Sequence, residues 1–421
     1  MFREQKRTTK NGVEIYDYKN PGVHGFYISL FLRAGSIHEP HQGITHFLEH
    51  AAIRNVNEVM GGSLYSILDR HGIEFNASTF SEMVQFYVSG ACENFDLSAE
   101  IIARVLSPII LGAKDIATER DRIKAEIRES DDRTSLSTFS NNIVYEGTSL
   151  ANLITGTLGS VEKINGKRLE EYRKSVMTPD GLFFYVTGNY TEDNLKKLAS
   201  EIEKYSLNPG QKQENVAPVP KSFGQRKESV HIKNADFTML RFSFDMDMSR
   251  LGVAETDLLY DMLLCGYNSR FFIEMSERRG LFYDINGSCE RYSNIGSFVF
   301  SYEVRGGSIY DAVETTVKLL REYKSTLPTA DEMMKAGYVT NAYLLYDNPR
   351  ETNFTFAYDN HIMSEGYDSI TARAERYERV TPERLRQVAE ILFTRDNLTL
   401  AIKGNKKKVD LDKIRAILKE L

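Results

Sequence analysis

Gly43-Ile44-Thr45-His46-Phe47-Leu48-Glu49-His50 places two histidines four residues apart, with a glutamate directly before the second. Residues i and i+4 of a helix lie on one face, a turn apart. A helix through this stretch would therefore aim His46 and His50 at a single point, each ring nitrogen about 2 Å from a shared metal ion. Glu49, three residues after His46, falls on the same side, within reach of a water at that point. Two ordinary helix histidines are the other reading of the same residues. Thr45, or a residue of the loop before it, is the expected N-terminal cap. His38 and His41 lie in that loop, where solvated or hydrogen-bonded roles are expected of them.

Around this stretch the chain reads as strands and amphipathic helices. Asn11-Gly12 between two β-rich runs predicts a hairpin turn. Phe26 to Leu32 alternates as a strand, and Gly61-Gly62 precedes a helix over 64–70. Two β-rich runs follow between Ile73 and Val88, with Asn76, read on its own, as a turn residue. Leu97, Ile101, Val105 and Leu106 form the apolar stripe of a helix over 95–106. From Asp115 to Glu129 the chain is densely charged, which fits a solvated helix. Glu119 and Glu126 stand apart from that reading, because seven residues return nearly to the same helical face, which Ile123 shares. A strand over 183–187 and a helix over 191–205 lead to residues 206–226, whose Pro209, Pro218 and Pro220 mark a linker.

The second half repeats the first. The order Leu281 to Cys289, strand 297–304, helix 309–323 echoes the order from Ile73 to Leu106, and Asn76 and Asn286 are 210 residues apart. Repetition at half the chain length predicts duplication of one α+β unit, each a mainly antiparallel sheet packed with helices. The domains expected are residues 1–205 and 227–421, joined by 206–226. The repeat of the motif helix, placed at 257–265, contains no histidine.

Bulk properties exclude several classes. A chain of 421 residues is too long for one core. A net charge of -6 and a pI near 5.9 oppose a nucleic-acid partner. Cys92, Cys265 and Cys289 are far apart and form no C-x-x-C pair, so buried free thiols are expected rather than a disulfide framework. A charged N-terminus, and no apolar run of about 18 residues, predict a cytoplasmic protein without a membrane span or signal peptide.

The spelling H-x-x-E-H at His46–His50 resembles the inverzincin motif, and the chain resembles the pitrilysin (insulinase-type) zinc peptidases, in particular the short processing peptidases related to mitochondrial processing peptidase. The resemblance rests on Ala34–Glu39, Gly43–His50, Phe75–Thr79 with Glu82, Glu119–Glu126, Ile154–Thr157 and Arg279–Tyr283, in that order. It implies one zinc ion held by His46, His50 and Glu126, which stands 76 residues after His50, with a fourth position open to water. It implies Glu49 as general base, Glu119 as a carboxylate that orients a ligand or the water, and Asn76 and Ala77 as contacts to the backbone of a peptide substrate added as a strand.

Two departures from the family pattern bear on function. The family's second domain usually carries an arginine and a tyrosine seven apart, aimed at the substrate carbonyl. Tyr283 is present here, but Ser276 stands in the arginine's place, with Arg278 and Arg279 nearby. Relatives of this length pair into a dimer that encloses a chamber, so the departure implies a heterodimer whose homologous partner subunit supplies the arginine–tyrosine pair. The residues after the motif, Ala51 to Asn55, also depart from the usual ending, which bears on the substrate side downstream of the cut. The expected activity is that of a zinc endopeptidase acting on enclosed peptides. The alternative is a non-catalytic structural or binding subunit, as some relatives in respiratory complexes have become.

Overall fold

A computed structural model of the chain describes residues 3–129, 135–226, 229–232, 237–265, 267–282, 284–305, 307–333, 337, 344–405 and 407–421. Its first unit is built on six strands: β1 (Gln5–Thr8), β2 (Glu14–Lys19), β3 (Gly25–Leu32), β4 (Glu74–Thr79), β5 (Val84–Ala91) and β6 (Leu182–Gly188). Their order in the sheet is β1-β2-β6-β3-β5-β4. Among the described residues of this sheet, only β2 and β6 pair in parallel; the other pairs are antiparallel. The hairpin predicted at Asn11-Gly12 joins β1 to β2, with Gly12 at φ 87° donating to the Thr9 carbonyl.

Side chains alternate across a strand, and here both sides are covered. Phe26, Ile28, Leu30 and Leu32 of β3 pack with Phe184 and Val186 of β6 into a core that includes α1 (Ile44–Val59). Tyr27, Ser29 and Phe31 are equally buried on the other side. The half-exposed strand that the alternation suggests is therefore a strand buried on both faces, its second face covered by the helix Pro349–Ala357. Asn353, 0% exposed, fixes that helix to the sheet. Its Nδ2 donates to the carbonyls of Tyr27 and Tyr185, and its Oδ1 accepts from the Ser29 hydroxyl at 2.7 Å. Asn353→Ala is expected to lower stability by about 2–3 kcal/mol, because buried partners lose their bonds with no water to replace them. Urea unfolding checks this, and a change near zero would show that the helix is held by its apolar contacts alone.

The second unit repeats the plan. Strands β7 (Ser229–Ile232), β8 (Thr238–Asp247), β9 (Ile285–Arg291), β10 (Ile295–Val304) and β11 (Leu398–Lys403) lie in the order β7-β11-β8-β10-β9. This order matches β2-β6-β3-β5-β4, including the one parallel pair, β7 with β11. Leu240, Phe242, Phe244 and Met246 of β8 enter the core on one side. On the other, Ser243 faces Ser140 of the helix Leu136–Val144, and buried Arg226 bridges Asp245 to the Val144 carbonyl. The repeat of α1 runs over Val253–Leu264, starting four residues before the predicted 257, because Glu255 reaches back to accept from the Gly252 amide and begins the helix there.

The two units are interleaved in sequence. Met1–Asp131, Asn152–Asn215 and Asn341–Arg373 make up the first, and Asp132–Ala151, Val216–Thr340 and Ala374–Leu421 the second. Residues 206–220 run without helix or strand. A single cut there keeps each sheet whole but assigns the covering helices Leu136–Val144 and Pro349–Ala357 to the opposite unit. The three cysteines are free and half-buried rather than buried. No helix among the described residues is long and apolar enough to cross a membrane.

Candidate metal centre

Helix α1 buries Ile44, Phe47, Leu48, Ala51 and Val56 in the core. That packing fixes the helix rotation, so His46 and His50 emerge together on the remaining face. Their ring centroids are 4.7 Å apart. The helix begins at Gly43, whose φ of 85° favours glycine. A Cβ there would also come within 2.9 Å of the Thr155 carbonyl oxygen. The cap is Glu39, a loop residue rather than Thr45: Oε1 accepts from the Gly43 amide at 2.7 Å and Oε2 from the Thr45 amide at 3.2 Å. The Thr45 hydroxyl instead meets Tyr172.

Glu39 gives the helix start a pH dependence. Burial drives its carboxyl up to about 7, although both amides favour the charged form. The folded residue thus holds its proton more tightly than the unfolded one, whose value is about 4.3. Its contribution to stability is complete below the unfolded value and is lost as pH rises through the folded one. Between about pH 5 and pH 8 the metal-free protein is therefore expected to lose more stability than Glu39→Gln does. Urea unfolding at both pH values measures the difference, and parallel slopes would discount Glu39.

Opposite α1, running antiparallel to it, lies the helix Ala113–Glu129. Ile116, Ile123 and Ile127 are its buried stripe, and Glu119 sits within that stripe, 1% exposed. Glu126, at the flank, faces both histidines: Oε1 is 3.6 Å from His46 Nε2, and Oε2 is 3.6 Å from His50 Nε2. One ligand atom from each of His46, His50 and Glu126 lies within 4.8 Å of the others. Ligands of a tetrahedral zinc ion stand roughly 3.3–3.6 Å apart, so the separations suit an ion between these groups better than hydrogen bonds. Two imidazoles and a carboxylate are also a donor set that zinc takes, with a position left over.

The electrostatics of His46 favour the same use. Burial, and then the neighbouring His50, bring His46 down to about 3, so its ring is neutral and has a lone pair to give. Burial also disfavours charge on His50, but Glu119, Glu49 and Glu126 outweigh it and raise its pKa. His50 Nδ1 lies 3.5 Å from Glu119 Oε2. A proton on Nδ1 leaves Nε2 open toward Glu126. Burial pushes Glu119 up, yet His50 and Arg54 together hold it below the usual carboxylate range.

Glu49 is buried beside the histidines, and burial raises its carboxyl. Its Oε2 accepts from the Thr79 hydroxyl at 2.5 Å. Thr79 ends β4, the outermost strand of its sheet. Asn76 is inside that strand, paired in register with Tyr87, so the turn reading fails; the turn falls at Phe80–Met83, where the Phe80 amide donates to the Met83 carbonyl. Asn76 Oδ1 accepts from the Ala77 amide at 2.8 Å. That amide is thus engaged by a side chain.

Two residues at the centre escaped the sequence reading, Thr79 and Arg54. Arg54 had a signal: it continues the i, i+4 series of His46 and His50 by one more turn. Thr79 ends a β-rich run and closes the Phe75–Thr79 stretch of the resemblance, but neither attaches a role to it. His38 is apart from the cluster, its Nε2 3.2 Å from the Glu214 carbonyl oxygen. Ser276 lies in the π-helical segment Phe272–Arg278. Arg278 pairs with Glu274 at 3.0 Å, and Arg279 with Asp311 at 2.8 Å. Tyr283 falls outside the described residues.

Comparison with known proteins gives the architecture a lineage. Residues 17–158 match the insulinase family (peptidase family M16), and residues 163–336 match the peptidase M16 inactive domain. An uncharacterized zinc protease of Rickettsia bellii is 26% identical over 341 residues, 79% of each chain. The uncharacterized zinc protease YmxG of Bacillus subtilis is 22% identical and covers 93% of this chain and 96% of its own. A crystal structure named as a peptidase M16 inactive domain from Pseudomonas fluorescens superposes with a TM-score of 0.83 at 15% identity, covering 96% of this chain and 98% of its own. Matched in succession over residues 17–336 by the two domain models of one family, the chain belongs to the insulinase family (peptidase family M16).

Proposed function

We propose that the protein is a zinc-dependent endopeptidase. The observation that carries this reading is the meeting of His46, His50 and Glu126 at ligand spacing, with the Glu49 carboxylate beside them. Zinc bound there supplies Lewis acidity, which makes water a nucleophile near neutral pH and polarises the peptide carbonyl. Glu49 acts as general base. Thr79 holds Oε2, which leaves Oε1 to take the proton and then deliver it to the departing amine nitrogen. Glu119 fixes His50 through Nδ1. The outer edge of β4 receives the substrate as an added strand, for which Asn76 must release the Ala77 amide.

The active particle in this reading is a dimer that encloses a peptide or an unfolded segment. Ser276, and the engagement of Arg278 and Arg279 on their own unit, favour a homologous partner that supplies an arginine and a tyrosine. The test is metal analysis together with mass spectrometry of a peptide library incubated with and without a chelator. About one zinc per chain, with cleavage that the chelator abolishes, is the expected result. A chain that holds no zinc and cuts nothing would be a scaffold subunit instead.

A further inference from the structure

The contact between α1 and the helix Ala113–Glu129 does not end at the histidines. His46, His50 and Arg54 succeed one another at four-residue intervals and face Glu126, Glu119 and Asp115 in reverse order. Arg54 closes this row with both ends of its guanidinium: Nη1 donates to Glu119 Oε1 at 2.8 Å and Nη2 to Asp115 Oδ1 at 2.9 Å. Glu119 divides its two oxygens accordingly, Oε1 for Arg54 and Oε2 for His50. Arg122 also reaches Oε1, at 3.1 Å, but its side chain is 64% exposed against 24% for Arg54. It also extends from the same helix as Glu119, so it does not tie that carboxylate to α1.

The geometry points to Arg54 as a positioning residue of the metal centre: by clamping Glu119 it fixes the His50 ring with Nε2 toward the metal position. The inference rests on the zinc reading above and adds a residue that never touches the metal. A planar two-ended donor suits the task, since a single ammonium cannot hold both carboxylates in that geometry.

Zinc affinity measured by chelator competition tests it, without need of a substrate. Arg54→Met is expected to weaken zinc binding roughly 10-fold, in the range seen when groups behind a ligand are removed. Arg54→Lys should recover part of the loss, and Arg122→Met should stay within about 2-fold of the parent. In a Glu119→Gln background, Arg54→Met should cost nothing further, because its route to His50 is already cut. Should Arg54→Met fail to fold, Arg54→Lys and Arg54→Gln carry the same comparison. Parent-like affinity in the Arg54 variants, even with lowered thermal stability, overturns the positioning role and leaves the zinc reading intact. So does a loss that adds fully to that of Glu119→Gln. A parent chain that binds no zinc removes both.

Discussion

Glu49→Gln is expected to bind zinc as the parent does and to lose roughly 10²–10⁴-fold in kcat, the contribution of a positioned proton acceptor. The replacement keeps size and shape, and its amide oxygen can still accept from Thr79, so the buried surroundings of residue 49 are preserved. What it lacks is basicity. Zinc content should be unaffected, because the group of possible ligands is His46, His50 and Glu126. Single-turnover cleavage of a peptide found in the library screen, paired with metal analysis of the same sample, reads both quantities. Turnover at the parent rate would remove Glu49 from the chemistry, whatever the metal content.

Glu126→Ala should have the complementary outcome: a folded chain that no longer retains zinc. The Glu126 side chain is 43% exposed, so its removal opens no cavity in the core. Among the described residues it is the carboxylate set against Nε2 of both rings, at 3.6 Å from each. Loss of a direct ligand should exceed the roughly 10–100-fold cost of losing a group behind one. Chelator competition measures the affinity, and circular dichroism checks the fold. Affinity equal to the parent's would exclude Glu126 from the coordination set. Together the two variants separate holding the metal from using it.

Much of the centre was legible in the chain because its parts are spaced by helical geometry. The four-residue interval of His46 and His50 and the seven-residue interval of Glu119 and Glu126 each put a pair on one helix face without any tertiary information. The third candidate ligand is a different matter. Nothing in local periodicity joins Glu126 to a histidine 76 residues earlier; that link came from the resemblance. Asn76 taken alone reads as a turn residue, because asparagine favours turns and the neighbour that makes it a strand residue, β5, is a pairing partner rather than a local signal.

The duplication and the presence of side chains able to donate to a metal are readable in the chain alone, since repetition and side-chain chemistry are written residue by residue. Folding sets what those groups do to one another. Burial makes His46 neutral, and the split of Glu119 between Arg54 and His50 sets which nitrogen faces the metal position. It also decided that each sheet is closed by a helix from the other half of the chain. A strand pattern states which residues avoid water, but not which distant segment excludes it.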